Sequence, residues 1–240
     1  MPSVVELVVY TAAAGACIPA GGLLAKIEHI RPAWMEREFR HFVIAFGGGV
    51  LLAAVALVLL PQGIEYVREP LAIALYFIAG GLAFFALERA LGLHRRESPQ
   101  FLATLLDYIP ESLALGGIFA AGATGAPLLA VLVGLQNLPE GFNSYRELMS
   151  VGGTRSRRVL LLMSLLIPVG PILAILGWLF LSQFAHFLGA VMLFASGGIL
   201  YLIFQDIAPQ SRLRNHWFPP LGAVCGFGVG LLGQSLIGGA

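Results

Sequence analysis

Three carboxylates and one amide, set in two apolar stretches, are the side chains of this sequence whose types and spacing most favour chemistry. Asp107 and Glu111 are four residues apart, and so are Gln136 and Glu140. In a helix, this spacing puts both members of a pair on one face, about 6 Å apart along the axis. If the two stretches are consecutive antiparallel helices, Asp107 lies level with Glu140 and Glu111 level with Gln136. Four oxygen-bearing side chains then converge, and hard divalent cations prefer such a donor set.

The cost of burying these acids also favours a bound ion. A carboxylate at the centre of a membrane-spanning helix costs about 2.5–3.5 kcal/mol. No Lys or Arg lies at the same depth in any predicted span, so a salt bridge does not neutralise the three acids. Protons, water in a cavity or a bound cation remain as explanations. A cation also explains why the acids are clustered.

A proline stands immediately before each of the two glutamates, at Pro110 and Pro139. Each proline removes one intrahelical hydrogen bond and disturbs the carbonyl four residues earlier, at Leu106 and Leu135. A broken helix at membrane depth is tolerated where the freed groups face a cavity. Two prolines at the same offset from two buried acids therefore predict a break in each helix beside the cluster.

Further polar side chains continue from Glu140 along the same predicted helix, at Asn143, Ser144 and Glu147. They could line a path for an ion leaving the cluster, although the end of a membrane span also explains Glu147. Asp206, near the end of a later apolar stretch, could gate release or could pair with an interfacial Arg. No histidine is assigned as a ligand, because all five lie in loops or near the ends of apolar stretches.

The composition indicates where these side chains are held. The 240 residues are 58% apolar and 11% charged, and the mean hydropathy is +0.86. A soluble domain of this size needs more surface charge, so we predict an all-α integral membrane protein surrounded by lipid. The 14 Lys and Arg residues nearly balance the 13 Asp and Glu residues, which gives no global field that favours nucleic acid.

Eight apolar stretches have the roughly 20 residues that a helix needs to cross the bilayer. We place them, within a single transmembrane domain over residues 1–240, at 4–26, 40–62, 70–91, 100–122, 125–147, 158–182, 185–207 and 218–237. If the N-terminus lies outside, every Lys and Arg except Arg68 falls in an inner loop. Both termini are therefore expected on the extracytoplasmic side.

Two pairs of stretches within the sequence match each other. FGGGVLLAAVALVLLP at 46–61 and FASGGILYLIFQDIAP at 194–209 share a Gly-rich opening and a Pro near the end. These two spans run in opposite directions, as in an inverted repeat of spans 1–3 and 6–8 with spans 4 and 5 between them. DYIPES at 107–112 and QNLPEG at 136–141 form the second pair.

The paired motifs resemble those of the Zrt/Irt-like protein (ZIP) family of divalent metal transporters. DYIPES and QNLPEG are similar to that family's fourth- and fifth-helix signatures, written HNxPEG and HExPxE. LLPQG in the second span, FFALERAL in the third and FQDIAP in the seventh extend the resemblance over nearly the whole chain. The resemblance implies a three-plus-two-plus-three arrangement of eight spans in the cell membrane. It also implies metal import towards the cytosol, a homodimer, and spans 1, 4, 5 and 6 moving against spans 2, 3, 7 and 8.

Carried over position by position, the family's primary metal ligands fall on Asp107, Glu111, Gln136 and Glu140, with Asp107 where the family usually has His. Many members bind a second metal. Its ligands would fall on Tyr108, Asn137 and Ile167. Because Tyr and Ile are poor ligands for such a site, we expect one metal per protomer and at most a peripheral contact from Asn137.

Several hypotheses remain open from the sequence. The leading one is a carrier whose transported substrate is Zn²⁺, Fe²⁺, Mn²⁺ or Cd²⁺, with no resident cofactor. It would be driven by gradients, because no ATP-binding motif is apparent. The alternatives are a proton or monovalent-cation pathway and a metal sensor derived from a transporter. An intramembrane hydrolase using Asp107 and Glu111 is disfavoured, because the sequence has no recognisable nucleophile, and we therefore expect no enzymatic activity.

Overall fold

The computed structural model describes residues 3–28, 33–91, 99–150, 155–181, 183–213 and 216–238, and every regular element in these ranges is helical. The prediction of an all-α protein is therefore confirmed. The helices are α1 (Val4–Ile27), α2 (Ala33–Ala54, Val55–Leu59 and Leu60–Val67), α3 (Pro70–Leu91), α4 (Pro99–Ala120), α5 (Ala126–Ser150), α6 (Ser156–Ser164, Val169–Leu176 and Gly177–Leu181), α7 (Ala185–Leu202, Ile203–Ile207 and Ala208–Ser211) and α8 (Leu221–Gly238).

Six helices in the described ranges are long and apolar enough to cross a membrane. They are Val4–Ile27, Arg37–Val67, Pro70–Ala90, Phe101–Ala120, Ser156–Leu181 and Ala185–Ser211. The apolar part of α8, Leu221–Leu236, is shorter. Helix α5 is not among the six, because its central polar residues lower its hydropathy. The outer face of α3 exposes Leu71, Leu75, Ile78 and Leu82 by 56–66%. An apolar surface of this extent belongs in lipid.

The helices follow the predicted spans with differences at the ends and in the sixth span. Helix α2 extends over residues 33–67, beyond the predicted 40–62. Helix α6 was predicted to be continuous over 158–182, but a turn interrupts it at 165–168, where Pro168 has no backbone N–H to donate. Residue 182 itself lies outside the described residues.

Both prolines beside the acid cluster lie within uninterrupted helices. Helix α4 continues through Pro110 and α5 through Pro139, so the predicted breaks were wrong. One missing hydrogen bond is absorbed because the rest of each helical ladder remains. π-helical turns occur instead in the two matched sequence stretches, at Val55–Leu59 and Ile203–Ile207, and a third lies in α6 at Gly177–Leu181. Each of the first two ends two residues before the proline that closes its stretch.

The described helices pack as two groups. Helices α1, α4, α5 and α6 form the α5 group, through the pairs α1–α5, α4–α6 and α4–α5. Helices α2, α3, α7 and α8 form the α2 group, through the pairs α2–α8, α2–α7 and α3–α7. The two groups meet where α5 packs on α2 and α4 packs on α7. These helix pairs are related by symmetry. If α1 is exchanged with α6, α2 with α7, α3 with α8 and α4 with α5, each pair becomes another pair of the set or itself.

Among the glycines of the described residues, those where a Cβ would lie 1.9–2.2 Å from a carbonyl oxygen of a neighbouring helix all meet a helix of their own group. In the described chain these glycines are Gly21, Gly49, Gly80, Gly116, Gly141, Gly177, Gly197, Gly222 and Gly226. On α1 and α5, for example, Gly21 meets the carbonyl of Leu138, and Gly141 meets that of Ile18. Such contacts allow close helix packing and tie each pair together.

Glycines that face the other group meet side chains instead. A Cβ on Gly47 of α2 would lie 2.9 Å from Pro139 Cγ of α5, and Gly117 of α4 faces the side chain of Leu188 of α7. The end of the Leu188 side chain can adjust by changing rotamer, whereas a backbone carbonyl, like the Pro139 ring, cannot move without its helix. The boundary between the groups is therefore more adaptable than the packing inside either group.

Candidate metal site

The four predicted ligands face one another across a seam between α4 and α5. Gln136 Nε2 donates a hydrogen bond to Glu111 Oε2 at 2.6 Å. One turn further along, the carboxyl groups of Asp107 and Glu140 lie next to each other. The predicted level pairing of the two helices is confirmed.

These side chains are almost inaccessible, with Glu111 and Gln136 0% exposed and Asp107 and Glu140 4% exposed. Each also has one buried oxygen without a hydrogen-bond partner among the described residues. These oxygens are Asp107 Oδ1, Glu111 Oε1, Gln136 Oε1 and Glu140 Oε2. A buried oxygen left without a partner costs about 1–3 kcal/mol, and more when it is charged. Four of them in two adjacent pairs form an acceptor set that a cation would satisfy.

The acids also lack a basic partner. Within the described ranges, no Lys, Arg or His forms an ion pair with Asp107, Glu111 or Glu140. The basic residue of α5 is Arg146, and its guanidinium forms an ion pair with the Glu28 carboxylate of α1 at 2.6 Å. Its guanidinium also lies 5.3 Å from the centre of the Phe142 ring. The described part of the chain therefore gives these buried carboxyl groups no fixed positive charge.

The acidic side chains of the seam face partners on the opposite helix and do not converge on one point where a metal ion could sit. Across the described residues, no group of three or more His, Cys, Asp or Glu side chains is arranged to hold a metal ion. Glu111 is engaged with Gln136, and Asp107 with Glu140. Binding a dication here would require these side chains to exchange their hydrogen bonds for metal bonds.

Thr104 is a residue of this seam that the sequence analysis did not single out. It lies on α4, is 1% exposed, and its side chain is hydrogen-bonded to the carboxyl group of Glu140. Helical spacing was a signal for it, because Thr104 lies three residues before Asp107 and seven before Glu111 and therefore shares their helix face.

The secondary predicted residues of α5 point in different directions. Asn137 turns to α1, where its Nδ2 donates to the carbonyl of Ala14 at 2.9 Å. Asn143 and Ser144 are 6% and 0% exposed, and Asn143 Oδ1 and Ser144 Oγ find no partner in the described chain. Glu147 is half-buried. The polar face that begins at Gln136 thus continues towards the end of α5.

Asp206 belongs to a different cluster, in the α2 group. It lies in the π-helical turn of α7, close to Tyr201. The Tyr201 hydroxyl donates to Glu88 Oε2 of α3 at 2.5 Å, and Gln205 Nε2 donates to Glu88 Oε1 at 3.4 Å. Glu88 is 5% exposed and is a fourth buried acid, which the sequence analysis did not single out.

Tyr108 fills the space beside Glu111, between α1 and α6. It is 1% exposed. A Cβ on Gly170 would lie 2.1 Å from its hydroxyl oxygen, and a Cβ on Gly15 would lie 2.6 Å from it. The backbone of Ile167 lies next to the same glycine of α1. An aromatic ring therefore occupies the region around Ile167, which offers no carboxylate.

A scan against protein-family models gives no match for this chain, and a search of curated proteins gives none either. The resemblance to the ZIP family is therefore carried by the motifs and their order.

Proposed function

We propose that this chain is a carrier of divalent metal cations that binds one ion at a time between α4 and α5. The observation that carries the proposal is the set of four buried, unpartnered oxygens on Asp107, Glu111, Gln136 and Glu140. Three of these side chains are acids without an ion pair in the described ranges. A dication supplies both the missing charge and the missing bonds. A proton compensates charge but satisfies fewer oxygens.

The donor set limits the choice of ion. All four proposed ligands offer oxygen, which suits hard or borderline divalent cations and disfavours soft ones. Mn²⁺, Fe²⁺, Zn²⁺ and Cd²⁺ in an oxygen shell are the proposed substrates. The ion is cargo, and the carrier needs no resident cofactor and performs no covalent chemistry.

The packing supports movement of the α5 group, with its ion, against the α2 group. Glycine–carbonyl contacts tie α1 to α5 and α4 to α6, whereas the contacts of Gly47 and Gly117 across the boundary are with side chains. A unit that is rigid inside and adaptable at its boundary suits an elevator-like motion with alternating access. The matched π-helical turns of α2 and α7 support an inverted repeat of α1–α3 and α6–α8 around α4 and α5.

We extend this to a divergent ZIP-like carrier in the cell membrane, with eight spans and with both termini extracytoplasmic. The basic residues then concentrate on the inner side, and import runs towards the cytosol. A homodimer is the assembly that the resemblance implies.

Binding should saturate at one ion per chain. Tyr108 fills the space in which a second ion would need the side chains at 108, 137 and 167, and Asn137 already donates to α1. Equilibrium titration of the detergent-solubilised protein with Mn²⁺, followed by the electron paramagnetic resonance of free Mn²⁺, measures this number. Two ions bound with comparable affinity would contradict it.

Metal binding should weaken as the pH falls. Three carboxylates exceed the charge of one dication, so at least one carboxyl group exchanges a proton during the cycle, and ligands must be deprotonated to bind. We expect the apparent Mn²⁺ affinity and the rate of uptake at limiting metal to fall from neutral to acid buffer. Uptake that stays flat from acid to alkaline pH would oppose this expectation.

Uptake into proteoliposomes tests the proposed function. Wild-type protein should accumulate radiolabelled Zn²⁺, Mn²⁺ or Fe²⁺ down an imposed gradient, and Glu111→Ala should not. Glu65→Gln is the control, because it removes an exposed acid outside the seam and should leave uptake unchanged.

Two other functions have a place in the same assay. Two buried carboxyl groups lie side by side at Asp107 and Glu140, and such a pair can also exchange protons, which makes a proton pathway the second candidate. Proton flux without dependence on metal would support that pathway. Metal binding without flux would indicate a sensor.

A further inference from the structure

The seam between α4 and α5 continues beyond the acids to a third level. Glu111 faces Gln136, and Asp107 faces Glu140. The same antiparallel register places Thr104 opposite Asn143. Both are buried, and Asn143 Oδ1 has no hydrogen-bond partner among the described residues. This level therefore has an unsatisfied buried acceptor of its own.

In the opposite direction the next two levels of the seam are apolar. The register there pairs Leu115 with Leu132 and Ile118 with Leu129, and these four side chains are 0–1% exposed. A cation that moves to these levels would lose its oxygen ligands and gain none from these four side chains. Towards Thr104 and Asn143 each lost oxygen can be replaced, and Ser144 Oγ is a further buried oxygen without a partner in the described chain.

The Thr104 side chain also differs in its bonding from other buried hydroxyls. Thr11 Oγ1 donates to the carbonyl of Leu7 at 2.7 Å, and Ser196 Oγ donates to that of Met192 at 2.8 Å, both within their own helices. The Thr104 side chain reaches Glu140 of the neighbouring helix. Its hydroxyl therefore already lies at bonding distance from a proposed metal ligand.

We propose that Thr104 Oγ1 and Asn143 Oδ1, with the carboxylates of Asp107 and Glu140, form a second cation position one helical turn from the first. It takes the same hard divalent cation, and this inference rests on the proposed function. Two carboxylates balance the charge of a dication, and the hydroxyl and the amide add neutral oxygens. Because both positions use Asp107 and Glu140, one ion occupies either of them in turn. The second position is the first step of the ion's departure from Glu111 and Gln136.

The double variant Thr104→Val with Asn143→Leu tests the transport step, because it keeps the side-chain shapes and removes both oxygens. We expect uptake of Mn²⁺ into proteoliposomes to fall about tenfold or more, in the range seen when partners of metal ligands are removed. Saturating binding should stay at one ion per chain. Thr104→Ser should retain uptake because it keeps the hydroxyl. Thr11→Val is the control for loss of a buried threonine hydroxyl elsewhere.

A second measurement locates the ion. Glu111→Gln with Gln136→Leu disables the first position, so Cd²⁺ soaked into crystals of this variant should give anomalous density level with Thr104 and Asn143. Adding Thr104→Val and Asn143→Leu should remove that density. Density that is absent from the first variant, or wild-type uptake by the Thr104–Asn143 double variant, would overturn the second position alone. A wild-type protein that neither binds nor transports Mn²⁺ or Cd²⁺ would overturn the proposed function as well.

Discussion

Glu140→Gln is expected to abolish metal uptake while leaving the metal-free protein at least as heat-stable as the wild type. Glutamine keeps the shape of the side chain and can still bond with Thr104. It removes a buried acid that has no ion pair in the described ranges and that lies beside Asp107. Uptake should fall by at least about 100-fold, the upper end of the loss seen for outer-shell partners of metal ligands. Such a gain of stability at the expense of activity is typical of functional sites.

Initial uptake rates in proteoliposomes and thermal unfolding with and without Mn²⁺ check this prediction. An ion at 100 times its dissociation constant stabilises the folded state by about 2.7 kcal/mol. The melting temperature of the wild type should therefore rise with Mn²⁺, and that of the variant should not. Glu65→Gln should behave as the wild type. A variant that keeps its metal-induced rise would show that Glu140 is not a ligand.

Gly141→Ala should prevent correct packing of α1 on α5. A Cβ at this position would lie 2.0 Å from the carbonyl oxygen of Ile18, and that oxygen cannot retreat without separating the two helices. We expect a loss of about 3 kcal/mol or more, at the upper end of the range for overpacked sites. Thermal unfolding and gel filtration in detergent measure the loss.

Gly233→Ala is the matched substitution at the boundary between the two groups. Its new methyl group would lie 2.6 Å from Leu128 Cδ1 of α5, the end of a flexible side chain that can give way. This variant should fold with nearly the stability of the wild type and should transport more slowly, because it narrows the contact along which the groups would move. Equal destabilisation by both substitutions would contradict the division of the helices into two groups.

The pairing at the centre of the seam was predictable from the sequence because it depends on local rules. A spacing of four residues fixes the face of each helix, and a tight connection from Ala120 to Ala126 makes α4 and α5 antiparallel neighbours. Glu111 beside Gln136 and Asp107 beside Glu140 follow from these two facts.

Other features were not predictable because they depend on partners far along the chain. Glu88 is buried because Tyr201 and Gln205 of α7 donate to it. The spacing of Thr104 puts it on the face of Asp107 and Glu111, but its contact with Glu140 follows only from the register with α5. The helices also absorb Pro110 and Pro139, although each proline alone predicts a break.

The location of a bound dication tests the central claim most directly. Crystals of the wild-type protein grown or soaked with Mn²⁺ or Cd²⁺ should show one anomalous peak between α4 and α5. The peak should lie about 2.0–2.6 Å from oxygens of both helices, the range of hard-cation bonds to oxygen. Its ligands should come from Asp107, Glu111, Gln136 and Glu140. The account would be contradicted if no anomalous density appeared between α4 and α5 at saturating metal and the carboxyl groups kept their present partners.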